Sequence, residues 1–366
     1  MPPSVCLNMI VKNEAHVIRR CLASARPFIT HWVIVDTGST DGTQDIVRAQ
    51  LAGIPGDLHE RPWRNFGANR TEALELARGK AAYLLFIDAD EMFRAPEGFA
   101  WPDLDRDAYY LHAEYAGTIY SRGALVSTRL EWRWAGVIHE YLTSTPEAQF
   151  TQLEWPHIVV LHDGARARDP ETYERDAAIL ERALADEPQN ARYAFYLAQS
   201  YRDAGLPGKA RDAYRRRAVM AGWDEEGWYA LYEIGRMSER LAAPVAEVQA
   251  AYLAAYQFRP QRAEPLYQLA RFHRERREFA LAHLFARQAA AIPRPADLLF
   301  VDDEVYRWRC LDELSVAASW IGAMAEGRVA IERLAAEGSV PAAEWPRVEG
   351  NLHFFRRSAE LDVAKE

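Results

Sequence analysis

The chain has 366 residues, 49% hydrophobic and 27% charged. At roughly 100–200 residues per domain this favours two packed units and excludes a disordered chain. Lys and Arg number 44 against 53 Asp and Glu, and the net charge of −9 disfavours broad attraction to nucleic acid or anionic lipid. Cys6, Cys21 and Cys310 form no C-x-x-C pair and read as buried thiols in a reducing, cytoplasmic compartment. The N-terminal stretch lacks a basic leader and a small-residue cleavage site, and no apolar run approaches the roughly 18 residues of an integral membrane segment.

Val5 to Val11 is a short apolar run, Glu14 to Ala25 carries apolar residues at helical spacing, and His31 to Asp36 is apolar again, which together predict a β-α-β unit. A further continuous apolar run, Ala82 to Asp88, follows the helix-like Asn69 to Arg78. Continuous rather than alternating runs fit parallel strands covered on both faces. The first 168 residues are therefore expected to form an α/β domain with ligands beyond the carboxyl ends of its strands. Those ends carry Lys12-Asn13-Glu14, Asp36-Thr37-Gly38 and Asp88-Ala89-Asp90-Glu91.

From Asp169 to the end the texture is all-helical. Tyr193 to Tyr201, Trp228 to Arg236 and Pro265 to Phe272 align at the roughly 35-residue spacing of helix-hairpin repeats. Ala198, Gly235 and Ala270 would let paired helices approach closely. A fourth pair, Asp302 to Glu326 and Ala343 to Ala359, is expected to cap the stack. The aromatic and basic residues Tyr201, Arg202, Tyr232, Arg236, Arg271 and His273 would either hold an extended chain or knit neighbouring hairpins.

Asp88-Ala89-Asp90 closes a strand, and two carboxylates at that edge with side chains on one side suit a hard divalent cation. Such an ion offsets charge on a departing diphosphate. Val33 to Thr43 reads as strand, tight turn and helix start, with Thr40 or Asp41 as cap. Asp36 stands where a carboxylate could accept hydrogen bonds from a base or ribose.

Met9-Ile-Val-Lys-Asn-Glu14, Val33 to Thr43, Asn69-Arg70 with Ala77-Arg78-Gly79, and Phe86 to Glu91 resemble, in order, the motifs of family 2 glycosyltransferases of the GT-A fold. With helical repeats attached, the chain is similar to the subgroup that joins such a domain to tetratricopeptide (TPR) repeats, which includes enzymes glycosylating cysteine in bacteriocin peptides. The resemblance implies a Rossmann-like GT-A nucleotide-sugar domain followed by an all-α TPR-like domain in a bacterial protein. It implies that Val11, Asn13 and Glu14 line the nucleotide pocket, that Asp36 contacts the base, and that Asn69 and Arg70 lie near base or phosphates. Asp88, with Ala89 beside it, would touch ribose or metal, and Asp90 would ligate Mn²⁺ or Mg²⁺ on the diphosphate of a UDP- or GDP-sugar.

An inverting transfer also needs a base. Trp134-Ala-Gly-Val-Ile-His139-Glu140 resembles the family's acceptor-side segment. Glu140 is the expected base and His139 its alternative, although Glu140 could instead pair with Arg129 or Arg133. The resemblance also implies His162, at the end of an apolar strand, as third metal ligand beside Asp88 and Asp90. Trp132 and Trp134 are expected to pack in the core rather than form a sugar platform, and residues discriminating the sugar are expected in loops such as Asp103 to Gly123.

The expected activity is therefore metal-dependent, inverting transfer from a nucleotide-sugar to a protein or peptide acceptor held by the repeats. The alternatives are a surface-glycan or lipid-linked acceptor, or a non-catalytic repeat scaffold with a degenerate transferase domain. A homo-oligomer is compatible with the sequence.

Overall fold

The computed structural model describes residues 3–115 and 118–363. The chain divides into two compact units, Met1–Pro188 and Gln189–Glu366.

The first unit runs β1 (Val5–Val11), α1 (Ile18–Ala25), β2 (His31–Asp36), α2 (Thr43–Gln50), β3 (Gly56–Glu60), α3 (Phe66–Ala77) and β4 (Tyr83–Phe86). It continues with β5 (Glu91–Arg94), β6 (Ala108–Tyr115), β7 (Thr118–Ser127), β8 (Glu131–Ala135), β9 (Tyr141–Thr145), β10 (Phe150–Val160), α4 (Ala165–Arg168) and α5 (Thr172–Asp186). Eight strands form one sheet in the order β3-β2-β1-β4-β7-β6-β10-β5, and β8 and β9 form a separate hairpin. The block β3-β2-β1-β4 is parallel, as the continuous apolar runs predict. The strands from β7 onward are mixed: β7 is antiparallel to both β4 and β6, β10 is parallel to β6, and β5 is antiparallel to β10.

Alternate residues of β1 enter two different cores. Val5, Leu7 and Met9 pack with Ile18 and Leu22 of α1, whereas Cys6 packs with Leu74 and Ala77 of α3. Burial on both faces is what makes such a strand read as one apolar run. Buried Asn8 adds a tie, its Nδ2 donating to the Ala73 carbonyl at 2.7 Å. Since β2 and β4 flank β1 on opposite sides, the strand order reverses at β1, and a crevice at the carboxyl ends is where an open α/β sheet binds ligand.

Sequence texture places α5 with the helical half, but by contacts it belongs to the first unit. Part of what ties it there is Arg166, which grips the buried carboxylate of Asp176 with two hydrogen bonds of 3.1 and 2.7 Å.

The second unit comprises α6 (Ala191–Asp203), α7 (Pro207–Ala218), α8 (Asp224–Arg240), α9 (Val245–Phe258), α10 (Glu264–Glu275) and α11 (Phe279–Ala290), then a π-helical turn at Val305–Arg309, α12 (Cys310–Trp320), α13 (Met324–Glu337) and α14 (Trp345–Val363). The three aligned segments fall on α6, α8 and α10, the first helices of successive hairpins. Gly235 lies where α8 meets α9: a Cβ there would come within 2.6 Å of the Tyr252 ring. Trp228 stacks on Tyr232 at 5.4 Å, and Tyr201, Tyr232 and His273 are buried, so these rings knit neighbouring hairpins. The capping pair is corrected to three helices, because Asp302 to Glu326 breaks after Trp320, with Gly322 at φ +78°. All three cysteines are free and buried; burial pushes the Cys6 thiol up to about 12.

Candidate active site

The carboxyl ends of β1, β2 and β4 bring together Asn13, Glu14, Asp36 and the segment 88–91. At the end of β2, Asp36 is almost fully buried. Its Oδ1 accepts from the Gly38 and Ser39 amides at 2.9 and 2.8 Å, fastening a turn in which Gly38 (φ +108°) and Gly42 (φ +90°) take conformations that suit glycine. Its Oδ2 is buried with no hydrogen-bond partner. An orphaned carboxylate oxygen inside a crevice at the strand ends costs free energy unless a ligand supplies a donor. Asp41, rather than Thr40, accepts from the Thr43 amide at the start of α2.

Asn13 holds φ +57°, and its Oδ1 accepts from the Thr40 amide at 2.9 Å, which joins the β1 loop to the β2 turn. Val11 and Ala89 are buried and form wall rather than donors. Asn69 is also fully buried; its side chain accepts from the Arg64 amide and donates to the Pro62 carbonyl, so it positions the loop entering α3.

Segment 88–91 is a tight turn, the Glu91 amide donating to the Asp88 carbonyl at 3.1 Å. It therefore lacks the strand alternation that would aim Asp88 and Asp90 alike, and they take different partners. Asp88 Oδ1 accepts from Arg70 Nη2 at 2.5 Å, while Asp90 Oδ2 accepts from the Gly164 amide at 3.2 Å. His162 is exposed, with φ +51°, and its ring meets Tyr115 edge to face at 4.5 Å. Among the described residues no three His, Cys, Asp or Glu side chains form a group able to hold a metal by themselves, so Asp88, Asp90 and His162 are not a pre-assembled ligand set.

Arg70 is the pivot of the site. Beyond Asp88, its Nε lies 2.6 Å from Glu140 Oε1, and its guanidinium covers the Trp134 ring at 5.3 Å. Glu140 thus pairs with Arg70; Arg129 binds Asp107 instead. Burial works to raise the Asp88 pKa, but Arg70 and then Arg122 outweigh it and hold the carboxyl below its ordinary value. The loop bearing His139 and Glu140 docks on the start of α3, where the Phe66 amide donates to the Val137 carbonyl at 3.1 Å. Gly67 permits that approach, since a Cβ there would run into the Gly136 carbonyl. His139 is exposed at φ +50°. Trp132 is buried, and Trp134 packs beside it and against Phe86, the core fate expected of both.

Glu14 is the second acidic focus. Its two carboxylate oxygens lie 3.3 and 3.1 Å from the Ala165 amide. Burial, with the nearby Asp90 and Asp88 charges, pushes its pKa up to about 7.

Residues 6–96 match the family described as Glycosyl transferase family 2. The N-terminal unit contains a family 2 glycosyltransferase domain. A TPR repeat-containing protein of Synechococcus elongatus is 28% identical over 315 residues, covering 78% of this chain and 75% of that protein. The SPbeta prophage-derived glycosyltransferase SunS of Bacillus subtilis is 26% identical over 215 residues, 53% of this chain, and the match spans only 48% of SunS. Among solved structures, a crystal structure of MamA aligns with 49% of this chain and 96% of its own at 15% identity and a TM-score of 0.38.

In this glycosyltransferase domain, sequence reasoning missed a buried brace. Arg122 of β7 forks onto Glu91, with Nη2 to Oε2 at 2.8 Å, and the same Oε2 accepts from the Asp88 amide at 2.8 Å. The brace fixes the acidic turn. No motif flags Arg122, which lies in an ordinary strand 31 residues from its partner.

Proposed function

We propose that this glycosyltransferase moves a sugar from a UDP- or GDP-sugar to a protein or peptide acceptor presented by the helical repeats, with inversion and with a divalent cation. The observation that carries this reading is the link through Arg70, which ties Glu140 to Asp88 at the edge where strand order reverses. Asp36, with one buried carboxylate oxygen lacking a partner, would accept from the base, and Asn13 and Asn69 hold the loops around it.

Mn²⁺ or Mg²⁺ fits the residues present. Such ions are held by one or two carboxylates together with substrate phosphates and water, and need no three-ligand protein cage. Asp90 offers a half-buried carboxylate with the Gly164 amide as partner, and the carboxylate of Glu14 lies near it. When bound, the cation neutralises charge on the departing diphosphate. Glu140 would take the proton of the attacking acceptor atom, a hydroxyl or thiol, as it approaches the anomeric carbon opposite the diphosphate. Arg70 orients that carboxylate relative to Asp88.

A screen of UDP- and GDP-sugars with Mn²⁺ or Mg²⁺, reading released nucleoside diphosphate, tests this reading. Turnover with one donor, lost on chelation, is expected; none with any donor would favour a non-catalytic repeat scaffold.

A further inference from the structure

The sheet face that supplies the core does not stop at the core. On β6, Leu111 and Ala113 are fully buried, whereas Tyr115, next on the same face, is 45% exposed. On β7, Arg122 pairs across from Leu111 and Tyr120 across from Ala113, so Tyr120 shares that face with Arg122, and it is 44% exposed. Tyr115 pairs with position 118, which sets Tyr120 on the diagonal from Tyr115, a spacing within reach of aromatic side chains. The exposed His162 ring closes the group against Tyr115.

This aromatic rim borders the chemistry. Arg122, two residues from Tyr120, holds Glu91, and Glu91 holds the Asp88 amide. The Tyr120 hydroxyl is raised, first by burial and further by the Glu91 and Asp88 charges, against Arg122. Half-exposed rings continuing a core face beside a charged crevice offer what a pyranose needs: an apolar surface for its C–H face, with charged groups at its edge for hydroxyls.

We propose that Tyr120, with Tyr115 and His162 around it, is the platform for the sugar ring of the nucleotide-sugar. The platform rests on the transferase reading above, and it places His162 with the rings rather than with the metal. Tyr120 is a positioning and specificity residue, and it discriminates the sugar while leaving the nucleotide to other groups.

The test measures affinities of wild type, Tyr120→Ala and Tyr120→Phe, each with Mn²⁺, for UDP, GDP, UDP-glucose, UDP-N-acetylglucosamine, UDP-galactose and GDP-mannose. For the sugar nucleotide that wild type binds best, Tyr120→Ala is expected to weaken binding about fivefold to tenfold, with the matching free nucleotide bound as in wild type. Tyr120→Phe, which keeps the ring, should retain wild-type affinity for both. Equal affinity of Tyr120→Ala and wild type for the sugar nucleotide overturns the platform while leaving the transferase reading intact. Equal weakening toward the free nucleotide also overturns it, and a wild type that binds no compound in the panel removes both readings.

Discussion

Arg70 stands between Asp88 and Glu140, 2.5 Å from the first and 2.6 Å from the second. Asp88 follows β4 and belongs to the acidic turn; Glu140 precedes β9 in a loop pinned to α3. One guanidinium therefore sets the distance between the acidic turn and the loop that carries Glu140.

Replacing Arg70 with Met removes the guanidinium between two carboxylates and leaves Asp88 with the weaker influence of Arg122. Transfer should fall at least about 100-fold and stability by about 2–3 kcal/mol, less than for a fully buried pair because Asp88 is partly exposed. Denaturant unfolding and a turnover assay check the two parts, and wild-type stability would show that the bridge does not hold the loop.

Glu140→Gln keeps the shape of the side chain and removes the proton acceptor. Donor affinity should be unchanged while turnover drops about 10²–10⁴-fold. Unaltered turnover would take Glu140 out of the mechanism and turn attention to His139.

Gly67→Ala tests the docking of the 136–140 loop on α3. The added methyl meets the Gly136 carbonyl, so the loop must shift, at a cost of about 1–3 kcal/mol. The expected kinetic signature is a lower kcat with little change in donor KM, measured by steady-state kinetics.

Glu14 gives a pH signature in metal-free protein. Its folded pKa, near 7, lies above the unfolded value, so the folded state binds the extra proton between about pH 4.5 and 7 and loses stability as pH rises through that window. Glu14→Gln should remove this loss, on the order of 1 kcal/mol after allowing for solvent screening of a half-buried group. Melting of both proteins in chelator at pH 5 and pH 8 should show a smaller gap in the variant; equal gaps would contradict the assignment.

Much of this site was legible in the sequence because strand ends leave local signatures. The apolar runs of β1, β2 and β4 place Asn13, Glu14, Asp36 and Asp88 on one edge. The relation of Asp88 to Asp90 was misread, because a tight turn replaces strand alternation there. The Glu91–Arg122 brace was invisible, since pairing between distant strands leaves no periodic trace. Helical periodicity identified α5 but not the core it joins, because an amphipathic face does not name its partner. The small residue at Gly235 does report close packing. The Asp103 to Gly123 stretch was expected as loop, and strands β6 and β7 occupy much of it.

The central claim, that the acidic edge holds a cation together with a nucleotide diphosphate, is tested most directly by thermal shift of wild type and Asp90→Ala with UDP or GDP, with and without Mn²⁺. At ligand near 100 times its dissociation constant, wild type should gain about 5 °C or more with Mn²⁺ and nucleotide together. Asp90→Ala should lose the Mn²⁺-dependent part of that gain. An identical Mn²⁺-dependent shift in the variant, or no shift in wild type with either nucleotide, would contradict the account.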